Sequence, residues 1–159
     1  LSYAVLGWDD AQVRTVIEAL RAAHAGGGLR KVESLYLAGN QMGDGAAAAL
    51  AALLEEGAMP NLERLYLGGN QIGDDGVAAL ASALRGGALP ACTTINLDHN
   101  QIAADGVAAL ASALRGGALP ACTWIDLDGN PGSAAPVDEA LASPERAAAL
   151  ARRRDEPSA

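Results

Sequence analysis

Few residues in this chain are of a type that does chemistry, and their spacing serves it poorly. His24 and His99 are the only histidines. An acid, Asp98, precedes His99, and an acid beside an imidazole is half of a catalytic pair. No nucleophile is placed with them to complete it. His24 falls near the end of a helical stretch, where a cation is favourable for the helix alone. Asp126-x-Asp128-x-Asn130 starts like a calcium loop, but Pro131 stands where that loop needs Gly and Val137 where it needs Glu. Gly26-Gly27-Gly28 is followed by no Lys-Ser/Thr and sits in no GxGxxG spacing, so it reads as a helix stop. Cys92 and Cys122 are too few for a disulfide scaffold. Stacked units would set them one strand apart, near the Cα spacing a disulfide tolerates, with side chains pointing the same way. Buried thiols are the first reading; a bridge and a metal pair are the alternatives. These residues predict no enzyme, no cofactor and no metal site.

The elements that position them are set by a duplication. Asp75–Thr93, DGVAALASALRGGALPACT, recurs letter for letter at Asp105–Thr123, an offset of 30 residues. Asn40, Asn70, Asn100 and Asn130 share one phase, as do Leu35/Leu37, Leu65/Leu67, Ile95/Leu97 and Ile125/Leu127. Such a period marks a repeat architecture. Three parts are expected. Residues 1–31 form a degenerate first unit: LSYAVL alternates like a strand, Asp9 or Asp10 caps a helix carrying Val13, Val16, Ile17 and Leu20, and Trp8 aligns with Ile72. Residues 32–131 carry the full repeats, each a strand, a turn and a helix. In the second, Leu62, Leu65 and Leu67 face inward, and Asp74 or Asp75 is expected to cap the helix that follows it. Val77, Leu80 and Leu84 recur at helical spacing, and Gly86-Gly87 with Pro90 end the helix. Residues 132–159 read as a linker, GSAAP, then a helix begun by Ser143-Pro144-Glu145 that runs to Arg152-Arg153-Arg154, then a tail. That helix reads as a cap on the solenoid end, with a basic interaction tail as the sharper alternative.

The pattern LxxLxLxxN followed by Q-I-G-D-x-G and an Ala/Leu helix resembles the leucine-rich repeat, specifically its ribonuclease-inhibitor-like class. It stands as Leu62, Leu65, Leu67, Asn70, Ile72, Gly73, Asp74 and Gly76, and recurs from Val32, from Cys92 and, as a strand alone, from Cys122. The resemblance implies an α/β solenoid, a short curved arc with a parallel β-sheet on its concave face and α-helices on its convex face. It also implies that Asn40, Asn70, Asn100 and Asn130 form a structural ladder of side chains bonded to backbone groups of the turn. Some members of the class activate small GTPases, but no motif here matches that role.

Alternation turns the remaining strand residues to the concave side. They form three rows: Ser34, Arg64, Thr94, Trp124; Tyr36, Tyr66, Asn96, Asp126; and Ala38, Gly68, Asp98, Asp128. Three of the chain's five aromatic residues fall there, and Trp and Tyr are the types that most often anchor a partner. The expected site for a protein partner with a basic surface is therefore Tyr36, Arg64, Tyr66, Asn96, Asp98, Trp124, Asp126 and Asp128. The bland alternative is a Tyr36–Tyr66 pair that only stabilises the sheet, with Trp124 covering an end. A second functional expectation is a structural subunit docked in a larger complex through its Ala-rich convex face or its ends.

Composition narrows the partners. Net charge is −8. Residues 32–131 hold eleven acids against three bases, while the flanks are nearly balanced. Such a surface repels phosphate backbones, so nucleic acid is not expected. No apolar run reaches the ~18 residues of a membrane span. LSYAVLGWDD has no basic flank and an early acidic pair, so it is not read as a signal peptide, and an intracellular location is favoured. The first residue is Leu, which suggests a processed product or a fragment.

Overall fold

A computed structural model describes residues 1–155 of the chain. The elements follow in the order α1 (Asp10–Ala25), β1 (Ser34–Tyr36), α2 (Asp44–Glu55), β2 (Arg64–Tyr66), α3 (Asp74–Arg85), β3 (Thr94–Asn96), α4 (Ala104–Arg115), β4 (Trp124–Asp126), α5 (Ala135–Leu141) and α6 (Pro144–Asp155). The four strands make one parallel sheet in the order β1-β2-β3-β4. Its register keeps the repeat phase: Leu35 faces Leu65, Leu65 faces Ile95, and Ile95 faces Ile125. Every strand is three residues long, because the turn held by the Asn follows at once. Sheet and helices enclose one apolar core, and Leu35, Leu37, Leu62, Leu67 and Ile72 in it are fully buried. Burying such a side chain stabilises by roughly 1.5–3 kcal/mol.

The Asn side chains hold the units together. Asn70 accepts at Oδ1 from the Met42 N–H (3.1 Å) and donates from Nδ2 to the carbonyls of Leu37 (3.0 Å) and Leu67 (2.9 Å). Asn100 repeats this with Ile72, Leu67 and Leu97, and Asn130 with Ile102, Leu97 and Leu127. Asn40 accepts from Trp8, which therefore occupies the position of Met42 and Ile72. The first unit is nonetheless longer, since α1 has 16 residues where α2, α3 and α4 have 12, about one extra turn.

Three expectations are corrected. LSYAVL does not form a strand. Ser2 makes a single bridge to Tyr36, and the backbone turns at Val5, whose φ is 56°. Asp74 and Asp75 do not cap their own helix. The cap position of α3 is Gly73, and the acceptor for its N–H groups comes from the previous unit: Asp44 Oδ1 takes Gly73 N–H (2.7 Å) and Gly76 N–H (3.0 Å). Asp10 serves α2 in the same way, and Asp74 serves α4. Of the four helices α1 to α4, α1 alone is self-capped, by a reciprocal pair of Asp9 and Gln12. Gly76 makes this approach feasible, since a Cβ there would stand 2.6 Å from Asp44 Oδ1 and 2.9 Å from Ala47 Cβ. Finally, GSAAP is not wholly linker. Ala135 and Pro136 begin α5, with Pro in its first turn.

The ladder ends at Pro131. Gln71 and Gln101 donate their N–H to the unit before, but Pro131 has no N–H, so Gly132 takes the Ile102 carbonyl instead. The chain then turns into α5 and α6, both of which pack against α4. Ser143 Oγ accepts from the Arg146 N–H at the start of α6. The tail expected beyond it, residues 156–159, lies outside the described residues.

Candidate protein-binding face

The strand register sets the outward rows. Ser34, Arg64, Thr94 and Trp124 are paired in sequence across the sheet, as are Tyr36, Tyr66, Asn96 and Asp126. Adjacent strands lie about 4.8 Å apart, so a row presents one side chain per strand at nearly constant spacing. Tyr36 and Tyr66 stack with centroids 4.6 Å apart and planes 6° apart. Such a pair adds about 0.5–1.5 kcal/mol beyond its buried area. Arg64 Nε donates to Ser34 Oγ (3.0 Å), which directs the guanidinium along the face while it stays exposed.

The β3–β4 side is acidic. Asn96 Nδ2 donates to Asp126 Oδ2 (3.3 Å), and Asp126 Oδ1 accepts from the Asp128 N–H (3.0 Å). Asp98 is half-buried, with its carboxylate leaning over Gly68 where a Cβ would find no room. Trp124 is 49 % exposed, the one exposed large apolar side chain on this face. It stands on β4, two strands from Tyr66, so the aromatic residues form two separate anchors and not one cluster.

His99 belongs to the same rim and was not among the expected site residues. Its Nδ1 lies 3.0 Å from Asp98 Oδ2, its ring lies over Gly129, and its side chain is 70 % exposed. Its φ is 49°. The equivalent positions are Gly39, Gly69 and Gly129, with φ of 70°, 65° and 72°. A left-handed backbone suits Gly and is costly for other residues. The signal was legible in the sequence as D-H-N beside A-G-N, G-G-N and D-G-N.

Little on the molecule favours covalent chemistry. Burial pushes the Cys92 thiol up to about 12, helped by neighbouring Cys122 and opposed by a hydrogen bond with the Thr94 backbone. Cys122 is raised too, by burial. Both are free thiols, and both remain protonated at neutral pH, which makes them poor nucleophiles. His24 sits in the last turn of α1, away from this face. Among the described residues no group of three or more His, Cys, Asp or Glu gathers to hold a metal ion, and no helix is long and apolar enough to cross a membrane.

Residues 28–51, 58–81 and 93–111 each match the family model described as Leucine Rich repeat. The chain folds as a leucine-rich-repeat solenoid. Each matched segment runs from the approach to a strand into the helix after it, and β4 with Asn130 continues the register beyond the last match. Leucine-rich repeats generally mediate protein–protein interaction and are typically non-enzymatic. Comparison with curated proteins finds no match to the chain.

Proposed function

We propose that this leucine-rich-repeat protein is a non-enzymatic binding module that grips a partly basic protein surface on its concave face. The observation that supports it is a contrast between repeats. The block from Asp75 to Thr93 is copied without change, yet two of the next three outward residues differ: Thr94 and Asn96 become Trp124 and Asp126, while Asp98 recurs as Asp128. Scaffold positions are duplicated, while two outward positions diverge, one to an aromatic anchor and one to a further carboxylate. Tyr36, Tyr66 and Trp124 supply large area at low conformational cost. Asp98, Asp126 and Asp128 supply the charge that selects a basic partner. Arg64, Asn96 and His99 add directed hydrogen bonding between the anchors. In this reading α5 and α6 serve as the C-terminal cap, and the full α-helix that follows each Asn turn supports the ribonuclease-inhibitor-like class, although the 30-residue unit is slightly long for it.

The convex-face alternative has less to carry it. The exposed residues on the middle turns of α2, α3 and α4 include Ala48, Ala78, Ser82, Ala108 and Ser112, which offer no anchor. Affinity purification from the source, followed by mass spectrometry, names a partner. Titration calorimetry of the purified pair then tests the face. Trp124→Ala combined with Tyr66→Ala is expected to cost about 2 kcal/mol or more, roughly 30-fold in Kd, with an unchanged fold by circular dichroism. Equal affinity in the double variant would overturn the reading.

A further inference from the structure

A second charged surface lies away from the concave face and has the opposite sign. Arg85 ends α3, Arg115 ends α4, and Arg152, Arg153 and Arg154 fill the last turn of α6. The structure brings these three helix ends together. Arg153 Nη2 donates to the Arg85 carbonyl (3.3 Å), and a Cβ placed on Gly117, just past the end of α4, would stand 3.4 Å from Arg153 Nε. All five arginines are exposed. Among the described residues the carboxylates that pair with arginine serve only Arg21, and only Arg153 of the five uses its guanidinium in a hydrogen bond. Glu56, at the end of the neighbouring α2, is itself held by Arg21.

Cations at helix C-termini have a local explanation, because the free carbonyls there carry negative partial charge. Magnitudes decide whether that explanation is sufficient. Three helix ends supply about −1.5 elementary charges, against five guanidinium charges. Asp155 and Glu156, which follow these arginines in the sequence, remove two more charges, so the patch keeps a surplus of about +1.5 on a chain whose net charge is −8.

We infer that this patch is a docking surface for an acidic, extended segment of a partner protein. Each guanidinium offers a planar fork that matches a carboxylate, and five forks spread over three helix ends suit a run of Asp or Glu better than a single anion. A membrane surface fits less well, since the exposed large apolar side chains, Leu1, Val5, Leu6 and Trp124, are all elsewhere and nothing beside the arginines inserts into lipid. Nucleic acid would bring many phosphates toward an acidic chain. A second copy offers Asp98, Asp126 and Asp128, but joining two unlike surfaces builds a ring or a filament in place of a discrete pair, an outcome the test below reads as self-association.

The test is fluorescence anisotropy with a labelled oligo-glutamate peptide and the full chain. The wild type should bind, and added salt should weaken binding. R152E/R154E should bind at least about tenfold more weakly, whereas Trp124→Ala with Tyr66→Ala should bind as the wild type does. That last arm separates this surface from the concave one. Where circular dichroism shows that R152E/R154E has lost α6, Arg85→Gln with Arg115→Gln on other helices is expected to show the same loss of affinity. Unchanged binding in the folded arginine variants would overturn the proposal. So would arginine-dependent binding of duplex DNA or phosphatidylserine vesicles as tight as that of the peptide, or self-association that R152E/R154E abolishes.

Discussion

His99 and the ladder asparagines occupy neighbouring positions and show opposite uses of a polar side chain. Asn70 and Asn100 are buried, and each side chain bonds backbone on both its own strand and the one before. Without them a buried N–H and buried carbonyls lose partners, at about 1–3 kcal/mol for each group left unsatisfied. His99 satisfies nothing in the scaffold beyond its own neighbour Asp98, yet it holds a backbone conformation that Gly adopts in three other units. His99→Gly is therefore expected to raise stability by about 0.5–1 kcal/mol in urea unfolding, as the left-handed strain is relieved against some gain in unfolded-chain entropy. The same substitution should weaken the concave-face partner in calorimetry. A destabilised His99→Gly would show that the imidazole belongs to the scaffold.

At the scale of elements, helices α2, α3 and α4 depend on the unit that precedes them. Each begins at Gly43, Gly73 or Ala103, none of which can cap with a side chain. The acceptor is the first-turn Asp of the helix before, displaced by one repeat. That Asp meets its own helix's dipole favourably and also supplies the next helix with its cap. Asp44→Ala is expected to cost about 1–2 kcal/mol, at the upper end for a cap because two N–H groups of α3 lose their acceptor. Asp75→Ala, which removes an exposed first-turn charge from the same region, should cost less, about 0.3–1 kcal/mol. Chemical denaturation of the two variants compares them directly. Equal losses would mean that charge, and not the directed hydrogen bonds, stabilises the start of α3.

Across the whole molecule, stability is a matter of neighbours. Each inner unit gains strand pairing, an Asn bridge and an Asp cap from the unit beside it, so contacts are local along the axis and weakest at an edge. The first segment pairs with β1 through Ser2 alone as a bridge, and Leu1, Val5 and Leu6 are exposed there, Val5 by 80 %. Hydrogen exchange followed by NMR should find the amides of β2 and β3 most protected. Those of residues 1–6 should exchange at least about a hundredfold faster, including the bonded amides of Tyr3 and Val5. Uniform protection would indicate a single cooperative unit without edge fraying. Charge is arranged at this scale too: carboxylates gather on the concave side of β3 and β4, while arginines gather where α3, α4 and α6 end.

The sequence by itself determined the solenoid, its period, the parallel sheet and the inward rows. These follow from covalent order: a fixed offset stacks like on like, and alternation assigns every strand residue a face. The aromatic and acidic members of the outward rows were legible for the same reason, and so was the α6 start at Ser143-Pro144. What only the tertiary structure decided are relations between units. Asp74 was read as capping the helix it begins because it adjoins that helix along the chain; stacking puts its carboxylate at α4 instead. LSYAVL alternates like a strand, but Val5 in a left-handed turn stops the pairing after one bridge. The short α5 carries too few apolar residues to show a period, and it forms against α4. The arginine patch joins residues up to 69 positions apart, from Arg85 to Arg154. Only the return of α6 across the ends of α3 and α4 brings them together.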